Sequence, residues 1–170
     1  MEDMKECTEC KTLLPLSEFS KHRITKDGLN HTCKKCNSER TRIFRNTASG
    51  VYTQLKGRFV FYGKKNMSIT RDEFVDWYDS QKRVCVYCDI PESKLNLWTD
   101  NYHSHTLKLT VDCKNNAFGY IKNNLVLACE RCNATKGNLL SFEEMRDMAQ
   151  RYIRPKWEAL DAPKTIEEES

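Results

Sequence analysis

The sequence predicts a small α+β fold stabilised by bound metal rather than by a large apolar core. Three observations carry this. The chain has 170 residues, of which 39% are hydrophobic and 31% charged, so little apolar surface is on offer for burial. It has nine cysteines, and eight of them form four Cys-x-x-Cys pairs: Cys7/Cys10, Cys33/Cys36, Cys85/Cys88 and Cys129/Cys132. Short stretches of strand periodicity alternate with short helical ones, and there is no internal repeat beyond the paired knuckles.

The cysteines read as zinc ligands. The start, Met1-Glu2-Asp3-Met4-Lys5-Glu6, has no apolar core of a secretory leader, and no stretch is long enough to cross a bilayer. The expectation is a cytoplasmic protein of a bacterial or phage-infected cell, not a secreted one. In that compartment thiols stay reduced, and paired Cys-x-x-Cys points to zinc rather than disulfides. No βαβ pattern surrounds any pair, which argues against redox chemistry. Tetrahedral zinc takes four thiolates and then has no open position, so eight cysteines make two structural sites. Pairing by chain order gives Cys7, Cys10, Cys33 and Cys36 for one, and Cys85, Cys88, Cys129 and Cys132 for the other. Interleaved pairing is an alternative that spacing leaves open. Cys113 stands alone. His22 and His31 are read as surface residues, since four sulfurs already complete the first site.

Along the chain, residues 1–42 read as a zinc ribbon, with a hairpin-like turn at Lys26-Asp27-Gly28-Leu29. Residues 43–82 read as a basic helical linker and a helix. The helix spans about Asn37 to Tyr62, with breaks expected at Gly50 and Gly57. Tyr52, Leu55, Phe59 and Tyr62 form its apolar stripe. Thr70-Arg71-Asp72-Glu73 is a capping box that opens a helix reaching about Gln81, with Phe74, Trp77 and Tyr78 on its inner face. Residues 83–155 read as the core domain. Within it lie a polar loop from Pro91 to about Thr106 holding His103 and His105, and a strand over Leu107–Val111 that ends at Asp112. A second strand over Asn124–Ala128 and a helix from Asn133 to about Leu140 follow. Ser141-Phe142-Glu143-Glu144 caps a last helix, which Pro155 is expected to stop. Residues 156–170 read as an acidic, disordered tail.

Formal net charge is +4, and its distribution says more than its sum. Lys34, Lys35, Arg40, Arg42, Arg45, Lys56, Arg58, Lys64 and Lys65 face a single acid, Glu39, in that stretch, whereas Glu167-Glu168-Glu169 ends the chain. Such asymmetry suggests a polyanionic partner for the basic segment; a solvated helix face is the plainer alternative.

The chemistry is expected between about Leu107 and Leu140. If the strand pair folds back onto the helix, Asp112 and Asn133 converge. Carboxylate and carboxamide oxygens suit a hard divalent ion such as Mg²⁺ or Mn²⁺, and Lys136, one helical turn beyond Asn133, could add positive charge. Here a resemblance becomes specific. The run Leu109-Thr110-Val111-Asp112-Cys113, then Gly119-Tyr120, then Asn124 through Cys129-Glu130-Arg131-Cys132-Asn133 to Lys136-Gly137, resembles the HNH endonucleases. It is most similar to phage and mobile-element members, homing endonucleases among them, whose first strand ends in Asp-Arg and continues to Gly-Tyr. The ribbon, with Leu13-Leu14-Pro15-Leu16-Ser17-Glu18-Phe19 and Lys26-Asp27-Gly28-Leu29, resembles the front of such enzymes.

The resemblance implies a ββα-metal core, and cleavage of double-stranded DNA by a one-metal mechanism. It implies that Asp112 and Asn133 are the catalytic metal ligands and that Asn124 braces the loop. It places Cys113 where the family keeps a His base or an Arg, and cysteine is neither a phosphate clamp of the guanidinium kind nor a good base for water. Either another group activates water in a natural chain, or the position was changed and activity is impaired; Tyr120, His103 and His105 are the other candidates for the base. One active site per chain cuts one strand, so a double-strand break needs a homodimer or two binding events. A non-catalytic DNA-binding or adaptor protein on the same scaffold is the competing reading.

Overall fold

The structure, a computed structural model, describes residues 3–62, 67–101 and 107–163. The chain forms two compact units, Met1–Arg58 and Phe59–Ser170. The division falls inside the segment 43–82.

The first unit is built from two small hairpins and the helical segments that follow them. β1 (Met4–Glu6) pairs antiparallel with β2 (Leu13–Pro15), and β3 (Phe19–Lys21) with β4 (Leu29–Cys33). The second hairpin closes where the Lys26–Leu29 turn is expected. Gly28 takes φ +71°, which favours glycine, and Asp27 Oδ1 accepts from the Leu29 N–H at 3.1 Å. One small core cluster holds Cys7, Phe19 and Cys33, with Leu14, Leu29 and Cys36 packed against it. Burial on that scale is small against the ordering of nearly sixty residues, which is where a metal staple is useful.

α1 (Lys34–Arg45) and α2 (Ala48–Tyr62) follow. The helical run breaks at Asn46-Thr47, not at Gly50 or Gly57. Gly50 serves a close approach instead: a Cβ there would stand 1.9 Å from Phe44 O, so only glycine lets the start of α2 meet the end of α1. Leu55 is buried and Tyr52 half-buried; the stripe's other members, Phe59 and Tyr62, carry side chains outside the described set.

In the second unit α3 (Arg71–Ser80) opens on the full capping box of Thr70 and Glu73, and buries Phe74 and Tyr78. The segment read as a polar loop contains a run of 3₁₀ helix, Glu92–Asn101, with Leu95 buried. His103 and His105 lie outside the described residues. β5 (Thr110–Cys113) and β6 (Leu125–Ala128) form an antiparallel hairpin, Asp112 opposite Val126. The strand therefore starts later than Leu107 and runs past Asp112. β6 ends at Ala128 because Cys129 begins a helix, so residues before Thr110 have no strand partner. The Leu109 amide donates to Glu92 Oε1 instead.

α4 (Glu130–Lys136) starts earlier and ends earlier than expected. Cys129 is its N-cap, its sulfur accepting from the Cys132 amide, and Gly137 closes it at φ +48°. α5 (Phe142–Met148) carries the Ser141/Glu144 capping box. Pro155 does not stop the helical run. One π turn, Ala149–Ile153, precedes it, with the Arg154 N–H reaching Ala149 O, and α6 (Arg154–Asp161) continues with Pro155 in its first turn. The missing proline N–H is harmless there, and the wider turn absorbs the ring. Trp157 of α6 is buried, so the segment after residue 155 is ordered structure as far as the description runs. No helix among the described residues is long and apolar enough to cross a membrane.

Candidate functional site

The eight paired cysteines assemble into two groups, Cys7/Cys10/Cys33/Cys36 and Cys85/Cys88/Cys129/Cys132. In each group the sulfurs lie within 4.8 Å of one another. Zinc bonded to each sulfur at about 2.3 Å would set them about 3.8 Å apart; Cys88 and Cys129 stand at 3.9 Å. Pairing follows chain order, not the interleaved alternative. The two groups share a plan. The first knuckle of each is a tight turn whose next residue, Lys11 or Asp89, takes a left-handed φ near 60°. The second knuckle sits at a helix start, with Cys33 capping α1 and Cys129 capping α4.

Backbone amides prepare these sulfurs for metal. The Cys33 N–H donates to Cys7 Sγ at 3.2 Å, and with the Cys10 amide it pulls the Cys7 thiol down to about 6. A hydrogen bond to the Cys33 sulfur, then burial, pushes the Cys36 thiol up to about 12. Four adjacent thiolates need a countercharge, and a divalent ion is one. The donor sets thus fit two structural zinc ions.

The hairpin β5–β6 lays one face against α4. Thr110 and Asp112 are two apart in a strand and share that face; Asn133 and Lys136 are three apart in a helix and share the opposing one. Asn133 Nδ2 donates to Thr110 Oγ1 at 3.0 Å, and Lys136 Nζ stands 3.5 Å from Asp112 Oδ2. The Asp112 carboxylate is buried among donors. The Tyr87 hydroxyl donates to Oδ2 at 2.7 Å, and the Cys113 amide to Oδ1 at 2.7 Å. Burial first, then the bond to Asp112, pushes the Tyr87 phenol far above its ordinary range, so it is a protonated donor at any working pH.

Lys136 brings its charge to the Asp112 carboxylate itself. It is 1% exposed, and its ammonium points inward to Asp112 and to Asn116 Oδ1 at 3.2 Å. Asn116 Nδ2 in turn donates to Gly137 O and Asn138 Oδ1, at 2.7 and 3.0 Å. Asn124, also buried, ties the loop between the strands: its Oδ1 accepts from the Asn115 N–H, and its Nδ2 donates to Asn115 O and Gly119 O. Cys113 is buried at the end of β5, and strand alternation puts it on the face away from Asp112. Tyr120 is half-buried and bridges to Met67.

Asp112 meets Lys136 across this seam and Asn133 meets Thr110; Asn124 acts on the loop between the strands. Sequence reasoning missed Tyr87, Thr110 and Asn116. The spacing of Thr110 from Asp112 could have placed it on the shared face. Nothing periodic points to Tyr87, although an aromatic inside a Cys-x-x-Cys turn has few places to go but inward.

No family model matches the chain, and no curated protein does. A solved structure of the rare-cutting HNH restriction endonuclease PacI, described for its mechanism of DNA perturbation, is similar. The TM-score is 0.56 at 25% identity, over 94% of this chain and 100% of that one. With short strand pairs, a hairpin packed on a helix, and two four-cysteine groups that fit zinc, this chain has the fold of an HNH endonuclease.

Proposed function

We propose that the chain is a divalent-ion-dependent endonuclease cleaving phosphodiester bonds of double-stranded DNA. The observation that carries the reading is the seam between β5 and α4, where the strand face bearing Thr110 and Asp112 meets the helix face bearing Asn133 and Lys136 in a chain folded like an HNH nuclease.

The residues fit a hard ion. Asn133 Oδ1 accepts no hydrogen bond among the described residues, and Asp112 Oδ1 uses one lone pair on the Cys113 amide and keeps another. Among the described residues no further His, Asp or Glu groups with them. That suits Mg²⁺ or Mn²⁺, which keep waters and take substrate phosphate oxygens. When bound, such an ion supplies electrostatic stabilisation of the phosphate and the leaving oxygen.

The chain's own residues do the rest. Asp112 and Asn133 hold the ion. Lys136 and Tyr87 hold the Asp112 carboxylate, and Asn124 shapes the loop that carries Tyr120. Tyr120 is the described candidate for accepting the proton of water; Cys113, buried and facing away, is not. Exposed Lys34, Lys35, Arg40 and Arg45 on α1 suit phosphate contacts, which set affinity and salt dependence rather than sequence choice.

A supercoiled-plasmid nicking assay with Mg²⁺ or Mn²⁺ tests this. Nicking is expected, and Asp112→Ala should abolish it while zinc content stays unchanged. If neither this chain nor its Cys113→Arg or Cys113→His variant nicks, the endonuclease reading fails and a DNA-binding or adaptor role replaces it.

A further inference from the structure

We propose that Tyr87 is a positioning residue for the catalytic ion: from inside the zinc-binding turn, its hydroxyl fixes the carboxylate of Asp112. This rests on the reading of Asp112 as an ion ligand and extends it to the knuckle Cys85-Val86-Tyr87-Cys88.

Three sets of contacts support it. The Tyr87 side chain is fully buried, so its hydroxyl has one destination, Asp112 Oδ2 at 2.7 Å. Its ring lies against Phe142, centroids 5.4 Å apart, which limits how it can tilt. The turn that carries it is held from outside as well as by sulfur. Arg146 Nη1 donates to Val86 O at 3.0 Å, Gln150 Nε2 to Tyr87 O at 2.7 Å, and Trp157 Nε1 to Cys88 O at 2.9 Å. Three successive carbonyls of the turn are thus clamped by α5, the π turn and α6. The Val86 N–H meanwhile donates to Leu127 O, joining the turn to the outer edge of β6.

The turn is therefore registered to the hairpin through its backbone and to Asp112 through one side chain. Asp112 Oδ2 takes the hydroxyl and faces the Lys136 ammonium, which leaves Oδ1 as the oxygen with capacity for an ion. Without the hydroxyl, the carboxylate can rotate toward Lys136, and both oxygens lose their assignment. Partners that orient a metal ligand in this way typically contribute about 10- to 100-fold to metal affinity.

The test is Mn²⁺ binding to the full zinc-loaded chain, measured by electron paramagnetic resonance, with nicking as a second readout. Tyr87→Phe should raise the Mn²⁺ concentration for half-saturation about tenfold or more. Zinc content should be unchanged, and nicking at saturating Mn²⁺ largely recovered. Should Tyr87→Phe lose zinc, two replacements at residue 87 separate donor from shape. 4-Fluorophenylalanine fills the hydroxyl's space without a donor and should bind Mn²⁺ weakly. 4-Aminophenylalanine keeps a donor at the same reach and should restore binding. Equal Mn²⁺ binding by all of these overturns the positioning role while leaving Asp112 as ligand. If Asp112→Ala binds Mn²⁺ as the unmodified chain does, the ligand reading itself is overturned and this inference with it.

Discussion

Replacing Lys136 by Met removes an ammonium that stands 3.5 Å from Asp112 Oδ2, with the two side chains 1% and 8% exposed. At that distance the Coulomb attraction is about 5 kcal/mol for an effective dielectric of about 20. Desolvation of both groups offsets much of this in the intact pair. Removing one partner is different, because the other keeps its desolvation and loses its countercharge; such breaks cost about 3–5 kcal/mol. Here the carboxylate retains the Tyr87 hydroxyl and the Cys113 amide, so the low end applies, about 3 kcal/mol. Asn116 Oδ1 also loses a donor, but it lies on an exposed loop where water replaces it. For a chain of this length the loss lowers Tm by roughly 6–12 °C. The assay is thermal unfolding of zinc-loaded protein at neutral pH, run as a cycle of Lys136→Met, Asp112→Asn and the double variant. Neutralising Asp112 in the Lys136→Met background should cost far less than in the intact chain, with a coupling of about 2 kcal/mol. A single-variant loss below about 1 kcal/mol, or additive losses, would refute the buried pair as an energetic unit.

Asn124→Ala should cost about 2–3 kcal/mol and make the 115–119 loop the first site of proteolysis, since three loop backbone bonds end on one buried carboxamide. Unchanged protease resistance would contradict that account. Cys10→Ser and Cys132→Ser should each lower zinc content, read by mass spectrometry, from two ions per chain to one; a loss of both ions from either variant would show that the groups are not independent. Glu73 and Glu144 are held below the ordinary glutamate range, chiefly by the N–H groups of Thr70 and Ser141. A depressed folded pKa gives stability that is present above the unfolded value and lost as pH falls through the folded one. The Tm gap between the chain and its Glu73→Gln/Glu144→Gln variant should therefore close as pH is lowered from 7 to 3, and a gap that widens would reverse the assignment.

Local chemistry makes much of this molecule legible in its sequence. Cys-x-x-Cys spacing announces a turn that presents two sulfurs, and four such turns in a reducing setting leave little but zinc. The capping boxes at Thr70 and Ser141 each lie within four residues, and both form. Alternation located the β5–β6 hairpin to within three residues, although its ends were set by neighbours: Cys129 turning into α4 and Glu92 taking the Leu109 amide. Pro155 misled for the same reason, because whether a proline stops a helix depends on what the preceding turn can absorb.

The sequence by itself determined which cysteines could bind zinc and which segments could be strand or helix, since both depend on neighbours a few positions away. Tertiary structure alone decided what Lys136 and Tyr87 do. A lysine one turn beyond Asn133 reads as positive charge for the site, and only the packed hairpin shows that charge buried against Asp112. A tyrosine between two zinc ligands carries no signal of its own until its turn is packed and its hydroxyl meets the same carboxylate. Those roles depend on side chains 24 and 25 positions apart meeting in a low-dielectric seam, and no local pattern encodes such a meeting, because the energy that enforces it exists only once water has been excluded.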